Sequence, residues 1–159
     1  MATKTNAVRL VEQAGIPCRE QFYEFDESDL SGTHAAQAIG MPPEQVFKTL
    51  VARGEKTGIN VFCIPVCCEL NLKKAAKAAG DKNMELVAVK ELLGLTGYIR
   101  GGCSPVGMKK QFATVYDESC LDKPTIMVSG GRIGTQIECA PADLIRLTRG
   151  KTAPITAEG

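Results

Sequence analysis

The lysine at position 48 is the residue whose surroundings most clearly suggest chemistry. It lies in Gln45-Val46-Phe47-Lys48-Thr49-Leu50-Val51-Ala52, and the apolar residues of this segment predict a buried or half-buried β-strand. Lysine is rarely fully buried, and a buried lysine is usually paired or reaches the surface with its ammonium group. Lys48 is therefore a candidate for a fixed cation that holds an anionic group or stabilises developing negative charge. The pattern leaves open the alternative, an outward-facing lysine on an edge strand.

Two glycine-rich segments follow further along the chain, Gly101-Gly102-Cys103-Ser104-Pro105-Val106-Gly107 and Ser129-Gly130-Gly131-Arg132-Ile133-Gly134. Glycines allow backbone N–H groups to approach a ligand closely and to form an anion-binding concavity. Neither segment has the pattern of a P-loop, and the second is not followed by a predicted helix, as a dinucleotide fingerprint requires. Together with Lys48 they predict a pocket for a small anionic or carbonyl-bearing group. Glycine turns are also common as simple connections, so this prediction depends on all three segments meeting.

The cysteines and the single histidine do not form a recognisable metal or nucleophile motif. The chain has seven cysteines, no C-x-x-C pair, and one histidine, His34. A tetrahedral zinc site needs more ligands at closer spacing, and a catalytic cysteine needs a neighbouring base. We therefore expect no metal and no cofactor. Cys103 is the one cysteine placed near the predicted pocket.

Composition and charge exclude several classes of protein. The 159 residues suit one domain, and a formal charge of +1 argues against coating nucleic acid through bulk electrostatics. We expect no DNA partner, although a local face of lysines could meet RNA or simply be solvated (Lys73, Lys74, Lys77, Lys82, Lys109, Lys110). The N-terminus lacks the apolar region of a signal peptide, and no run approaches the roughly 18 apolar residues of a membrane span. Free thiols in a reducing cytoplasm are the expectation.

The hydrophobic pattern predicts one α/β domain over residues 1–150, with a mixed, mostly antiparallel sheet flanked by helices, and a flexible tail over residues 151–159. Thr33 is the predicted N-cap of the second helix. Helices are expected at residues 2–14, 33–39, 71–79, 89–93 and from 140. Strands are expected at residues 18–25, 45–52, 60–65, 84–89, 112–116, 125–129 and 136–139.

The ordered set of motifs resembles one known family. The segments 46–51, 97–110 and 129–132, continued by Gln136-Ile137-Glu138-Cys139-Ala140-Pro141-Ala142-Asp143-Leu144, are similar to those of the YbaK/EbsC family. Its members are free-standing relatives of the editing domain inserted in bacterial prolyl-tRNA synthetases. The resemblance extends over nearly the whole chain, and it implies the family's compact α/β fold.

The resemblance also implies an activity and a set of site residues. The implied activity is removal of a mischarged amino acid from tRNA, most typically cysteine from tRNA(Pro) and also from tRNA(Cys). The implied partners are the acceptor end of aminoacyl-tRNA and, as a further candidate, prolyl-tRNA synthetase. The implied catalytic residues are Lys48, Gly101 and Ser129, and the implied substrate-binding residues are Tyr23, Thr49, Gly102 and Gly130. The chain departs from the family pattern at Leu30, Cys103 and Gln136.

The implied mechanism is substrate-assisted. The substrate's own thiolate attacks the ester carbonyl, forms a thiolactone and expels the 3′-end of the tRNA, while the protein supplies orientation and electrostatics. In this reading Lys48 positions the substrate, the N–H groups of Gly101 and Gly102 hold the carbonyl oxygen, and Ser129 orients the substrate. Three alternatives stay open: a hydrolase for alanine or another small residue that uses water, a binding module without turnover, and a conventional hydrolase that uses Cys103.

Overall fold

Eight strands and five helices make up the part of the chain that the structure, a computed structural model, describes, namely residues 4–25, 28 and 31–157. The strands are β1 (Cys18–Phe22), β2 (Phe47–Gly54), β3 (Gly58–Pro65), β4 (Glu85–Leu86), β5 (Ala113–Asp117), β6 (Ile126–Arg132), β7 (Thr135–Cys139) and β8 (Lys151–Ala153). The helices are α1 (Asn6–Gln13), α2 (Gly32–Ile39), α3 (Leu72–Ala79), α4 (Val89–Thr96) and α5 (Pro141–Thr148).

The strands are divided between two sheets. The smaller sheet is antiparallel and has the order β1-β7-β6, and the larger has the order β4-β2-β3-β5-β8. In the larger sheet β2 runs antiparallel to β3 and β4, whereas β5 runs parallel to β3 and β8. The α/β class with mixed pairing and flanking helices is confirmed. The single predicted sheet is instead two sheets, because β1 and β6 pair with β7 and not with the β2–β3 hairpin.

Among the described residues one isolated bridge joins the two sheets. Val46, just before β2, pairs in parallel with Met127 of β6, and no other described pair extends this bridge. Backbone pairing between the two strands therefore stops at this point. The cleft described below opens where they separate.

Side-chain caps and glycines set the ends of the helices. The Thr5 hydroxyl accepts a hydrogen bond from the Val8 N–H at the start of α1, and the Ser31 hydroxyl does the same for His34 in α2. Ser31 is thus the cap of α2, and the predicted cap, Thr33, lies inside the helix. Gly40 and Gly80 end α2 and α3 in the left-handed conformation that glycine allows. None of the helices in the described ranges is long and apolar enough to cross a membrane.

Both faces of the larger sheet are covered, which explains its nearly continuous apolar strands. On one face Val61 and Cys63 of β3 join the main core, which packs against α1, α5 and the smaller sheet. On the other face Phe62 and Ile64 pack against α3. A third cluster lies beneath α2 and consists of Ala36, Val46, Val66 and Met127.

Several predicted elements are shorter than expected. The strand predicted at 84–89 is only Glu85–Leu86, because Ala88 already precedes α4 as its N-cap. The first strand ends at Phe22, and residues 23–25 continue without ladder pairing. Residues 2 and 3 of the first predicted helix, and Leu30, lie outside the described residues.

The C-terminal segment is ordered, so the prediction of a flexible tail is wrong for residues 151–157. Lys151–Ala153 form β8 at the edge of the larger sheet, parallel to β5. Ile155 is fully buried in the α3 core, and its N–H donates to the Asp117 carboxylate at 3.1 Å. Thr156 then bridges to Leu70. The polar composition of this segment suggested fraying, but one buried isoleucine and its backbone hydrogen bonds hold it in place.

Asp81 ties the β2–β3 turn to the loop after α3. Its carboxylate accepts hydrogen bonds from the Thr57 N–H and hydroxyl, each at 2.7 Å, and from the Lys56 N–H at 3.1 Å. Desolvation acts to raise the pKa of Asp81, but the hydrogen bonds from Thr57, Lys82 and Asn83 together hold it well below its ordinary value. The charged form of Asp81 is therefore favoured by folding.

We expect Asp81→Asn to lower the melting temperature by a few degrees at neutral pH. Because the folded-state pKa is depressed, the wild-type advantage is present above the ordinary aspartate pKa of about 4 and is lost as the pH falls through the folded-state value. Thermal melts of both proteins between pH 7 and pH 2 would show the two curves converging on acidification. Asp122→Asn is the comparison, because the pKa of that carboxyl is also lowered, chiefly by its hydrogen bond with Lys123, but this bond joins neighbouring residues and not separate segments, so we expect a smaller change. A constant gap at all pH values would contradict this role.

Candidate active site

A cleft of about 80 Å³ lies where β2 and β6 separate. Its volume suits a small side chain or a few water molecules. Its walls come from both sheets, from α2 and from the loop after α4. The lining residues are Tyr23, Ser31, Gly32, Ala35, Val46, Phe47, Lys48, Thr49, Val66, Gly101, Cys103, Ser129 and Gln136.

The strand register brings three polar side chains to this cleft. Val46 and Met127 are bridged in parallel, so Lys48 and Ser129, each two residues later, follow the diverging strands on the two sides of the opening. Gln136 stands directly opposite Ser129 in the β6–β7 ladder. Lys48, Ser129 and Gln136 are thus assembled by pairing between distant parts of the chain.

Lys48 is half-buried and lies on the part of β2 that β4 does not cover, since β4 pairs only with Ala52 and Arg53. None of the described residues that line the cleft is an aspartate or a glutamate. The ammonium group therefore gives the described cleft a positive charge that no lining carboxylate balances. A positive cleft favours an anionic or carbonyl-bearing ligand.

The loop after α4 is held rigidly beside this charge. The Tyr98 hydroxyl donates to the Val106 carbonyl at 2.7 Å, and the Ser104 hydroxyl, which is fully buried, accepts from the Val106 N–H. From α1, the Asn6 side-chain amide donates to the Gly107 carbonyl at 2.8 Å. Gly101, at φ 87°, makes the left-handed turn that presents the loop to the cleft.

Gly101 and Gly102 have different positions. Gly101 lines the cleft, whereas Gly102 is buried behind it, and its N–H already donates to the Ile99 carbonyl at 3.0 Å. The predicted use of the Gly102 N–H to hold a substrate oxygen is therefore wrong, because that donor is occupied. A Cβ atom at Gly102 would stand 2.9 Å from the Arg132 Cα and the Ile133 N of the β6–β7 turn. Gly102 serves close packing between this loop and that turn.

Ser129 lines the cleft, but Gly130 does not. The Ser129 hydroxyl oxygen accepts a hydrogen bond from the Gly131 N–H at 3.2 Å, so its proton can be donated to a ligand. The Gly130 carbonyl accepts from the Thr5 hydroxyl at the start of α1. Gly130 therefore does not line the cleft. A Cβ atom at this position would stand 2.8 Å from the Thr135 methyl group, which explains why the residue is glycine.

Gln136 carries an unusual polar group. The residue is only 6% exposed, and its side-chain oxygen, Oε1, is buried without a hydrogen-bond partner among the described atoms. A buried acceptor left unsatisfied costs about 1–3 kcal/mol. Such a group in a binding cleft is explained if a ligand supplies the missing donor.

Tyr23 and Thr49, which the family resemblance implies as substrate-binding residues, both line the cleft. The Tyr23 ring makes an edge contact with His34, with ring centroids 6.2 Å apart. His34 does not line the cleft, and its Nε2 lies 3.1 Å from the Glu24 carbonyl. The Thr49 hydroxyl contacts the Cys63 thiol at 3.7 Å. The histidine therefore supports the wall and is not positioned as a base.

Cys103 lines the cleft but is not an activated nucleophile. Burial raises the pKa of its thiol to about 11, although a hydrogen bond with Thr96 acts in the opposite direction. At neutral pH the group is therefore a neutral thiol. This geometry argues against the hydrolase that would use Cys103.

Sequence reasoning missed the apolar half of the cleft. Gly32 and Ala35 of α2 face Val46, Phe47 and Val66, and a Cβ at Gly32 would come within 2.3 Å of a Val66 methyl group. These residues belong to segments that are distant in the sequence and meet through packing of Gly32 on Val66 and the hydrogen bond between Val66 and Val46. No local sequence pattern therefore marks them as one wall.

Comparison with models of known protein families identifies the family to which this chain belongs. The model of the aminoacyl-tRNA editing domain matches residues 31–147, which include Lys48, Gly101, Ser129 and Gln136. The chain belongs to the aminoacyl-tRNA editing domain family. All the elements from the N-cap of α2 to the last turn of α5 therefore lie within the editing domain.

Individual relatives agree with this assignment. Over 155 residues the chain is 48% identical to EbsC of Enterococcus faecalis, which bears the name of a Cys-tRNA(Pro)/Cys-tRNA(Cys) deacylase; the match covers 98% of this chain and 94% of EbsC. It is 26% identical to YwhH of Bacillus subtilis over 76% of each chain. A crystal structure described as a trans-editing enzyme for prolyl tRNA synthetase superposes with a TM-score of 0.82 at 28% identity, covering 99% of this chain and all of the other.

Proposed function

We propose that this editing domain is a trans-acting deacylase that removes cysteine from Cys-tRNA(Pro) and also from Cys-tRNA(Cys). The observation that carries the proposal is the chemistry of the cleft. Its described lining has a fixed cation and hydrogen-bonding groups but no carboxylate, no histidine and no ionised thiol. Such a site lacks a base–nucleophile pair of its own, and it suits a substrate that brings its nucleophile. The identity to EbsC supports cysteine as that substrate.

The reaction that follows is an intramolecular acyl transfer. The sulfur of the substrate cysteine bonds to its own carbonyl carbon, the ester bond to the terminal ribose breaks, and the ribose oxygen leaves and takes up a proton. The products are a cysteine thiolactone and tRNA with a free 3′-end. Holding the thiolate close to the carbonyl is a large part of the catalysis, because a well-oriented intramolecular attack needs no further encounter.

Each cleft residue has a distinct role in this scheme. The Lys48 ammonium stabilises the negative charge that moves from the thiolate to the carbonyl oxygen. Gly101 shapes the wall beside that oxygen, and the Ser129 hydroxyl donates to the substrate. Ala35, Val46 and Val66 limit the side chain that fits, and the discrimination available from such a pocket is about 1–3 kcal/mol per methylene.

Gln136 Oε1 is the acceptor for the substrate's α-ammonium group in this proposal. Gln136→Met keeps a side chain of similar length, removes the buried acceptor and leaves the apolar stem. We expect KM for Cys-tRNA(Pro) to rise about tenfold, because one hydrogen bond to a charged donor is worth about 1.5–3 kcal/mol. The melting temperature should stay the same or rise, because an unsatisfied group is removed.

Gln21→Met is the matched control for that change. Gln21 pairs with Gln136 in the β1–β7 register, but it does not line the cleft. Steady-state kinetics and thermal melts of both variants would separate binding from folding. An unchanged KM in Gln136→Met would remove Gln136 from the binding role.

The experiment that tests the function is a deacylation assay with Cys-tRNA(Pro), Cys-tRNA(Cys), Ala-tRNA(Pro) and Pro-tRNA(Pro), with identification of the released product. Release of cysteine thiolactone is the expected result, and Pro-tRNA(Pro) should be spared. Release of alanine alone would indicate a hydrolase that activates water. Binding of all four without ester loss, with or without prolyl-tRNA synthetase, would indicate a binding module. We place this activity in the cytoplasm, where aminoacyl-tRNA is available.

A further inference from the structure

Two adjacent cysteines, Cys67 and Cys68, stand in the turn that follows β3. Cys67 is exposed, the one exposed thiol of the chain, and Cys68 is half-exposed. Their sulfur atoms are 3.9 Å apart. A disulfide needs a separation of about 2.05 Å, so joining them requires rotation of both side chains together with a change in the turn.

This turn is built directly onto the wall of the cleft. The Cys68 N–H donates to the Pro65 carbonyl at 3.0 Å and closes the turn, and the Val66 N–H donates to the Val46 carbonyl at 2.8 Å. Val46 and Val66 both line the cleft, and Pro65 pairs with Phe47 in the β2–β3 ladder. Any change in the turn is therefore passed to residues that flank Lys48.

The surroundings assign different roles to the two thiols. Burial raises the pKa of Cys68, and the Cys67 thiol and the Asp117 carboxylate raise it further, whereas the Lys48 ammonium lowers it. The exposed Cys67 is thus the thiol that a dissolved disulfide reaches first. Cys68 is placed to attack second, because its sulfur lies 3.9 Å from that of Cys67.

We propose that Cys67 and Cys68 form a reversible vicinal disulfide that switches the neighbouring cleft off under oxidising conditions. The oxidant is a low-molecular-weight disulfide. The Cys67 thiolate attacks it, forms a mixed disulfide and releases one small thiol. The Cys68 thiolate then displaces the second small thiol and closes the Cys67–Cys68 bond. The two cysteine sulfurs are oxidised, the small disulfide is reduced, and the two protons leave on the released thiols.

Closure changes the cleft because the ring is small. Joining adjacent residues twists the peptide between them, which disturbs the Cys68–Pro65 hydrogen bond and moves Val66. A vicinal bond is strained and exposed, and such disulfides are the ones that are reduced again easily. The effect on deacylation rests on the proposed function, whereas formation of the bond does not.

A second pair of thiols must be separated from this one in any test. Cys18 and Cys139 face each other in the β1–β7 ladder, but Cys139 is 1% exposed within the main core. They do not line the cleft. Cys18→Ser is therefore the matched control, because it removes one thiol and leaves the vicinal pair intact.

The test treats the full chain with oxidised glutathione, blocks the remaining thiols with N-ethylmaleimide and measures the mass of the tryptic peptide 57–73. We expect this peptide from the oxidised wild type and Cys18→Ser to carry N-ethylmaleimide on Cys63 alone, so that it is lighter than the peptide of the untreated protein by two N-ethylmaleimide groups and two hydrogen atoms. Treatment with dithiothreitol before blocking should restore all three labels. The peptides of Cys67→Ser and Cys68→Ser should carry a label on each of their two remaining cysteines. This readout does not depend on any activity.

The same samples are then assayed on the aminoacyl-tRNA that the untreated protein deacylates. We expect oxidation to reduce the rate about tenfold in the wild type and in Cys18→Ser, consistent with the cost of a small misplacement of catalytic groups. The double variant Cys67→Ser/Cys68→Ser should change less than twofold. Absence of the vicinal bond in the wild type, or an equal loss of rate in the double variant, would overturn the switch. Failure of the proposed function would appear separately, as no deacylation by the untreated protein.

Discussion

Lys48→Ala should reduce deacylation of Cys-tRNA(Pro) by about 10²-fold or more, because removal of one group that stabilises transition-state charge typically costs that much. Lys48 provides the charge of a cleft in which no described lining residue is acidic. Its removal therefore leaves no lining carboxylate unpaired, and the melting temperature should stay close to that of the wild type. The measurement is the initial rate of ester loss together with a thermal melt.

Two further variants serve as comparisons for Lys48→Ala. Lys48→Arg keeps the charge but replaces a compact ammonium with a longer planar group, and it should restore only part of the rate. Lys73→Ala removes the same charge from the exposed surface of α3, and it should leave the rate within about twofold of wild type, since surface charges act weakly at a distance. Near-normal activity of Lys48→Ala would remove this lysine from the mechanism.

Gly102→Ala should damage both the fold and the activity without touching the substrate. Its new methyl group would stand 2.9–3.0 Å from backbone atoms of Arg132 and Ile133, which cannot rotate away as a side chain can. We expect a loss of about 1–3 kcal/mol in the free energy of unfolding. The loop and the β6–β7 turn must separate, so Gly101 and Ser129 move apart, and the deacylation rate should fall by about 10–10²-fold.

Gly94→Ala is the control for the same chemical change. Gly94 lies inside α4, and nothing stands within 4 Å of a Cβ built there. Alanine is favoured over glycine in a helix by up to about 1 kcal/mol, so this variant should be neutral or slightly more stable. Denaturant unfolding and deacylation rates of the two variants give the comparison. If Gly102→Ala behaves like Gly94→Ala, the close packing of the loop after α4 against the β6–β7 turn is not required for stability or activity.

The sequence predicted the parts of this protein that depend on local pattern. The strands expected at residues 45–52 and 60–65 and the helices expected at 33–39 and 71–79 are such parts, because each follows from the hydrophobic pattern of its own segment. Five of the site residues that the family resemblance implies line the cleft: Tyr23, Lys48, Thr49, Gly101 and Ser129. Their catalytic roles stay predictions.

The sequence-based predictions failed where contacts between distant segments determine the structure. Gly101 and Gly102 are indistinguishable in the sequence, and only the packing against Arg132 shows that the second glycine faces away from the cleft. The division into two sheets follows from the pairing of β1 with β7, more than a hundred residues along the chain. The apolar wall of Ala35, Val46 and Val66 likewise combines α2, the residue before β2 and the residue after β3, with Val66 hydrogen-bonded to Val46.

The position of β8 has a consequence for how the two sheets depend on the C-terminal segment. Residues 151–155 complete the larger sheet and the α3 core, through the pairing of Val115 with Lys151 and the burial of Ile155. The smaller sheet, with the order β1-β7-β6, takes no strand from this segment. Removal of residues from Lys151 onward would therefore leave the smaller sheet paired but give β5 an open edge, and an open edge is a site for pairing with another chain.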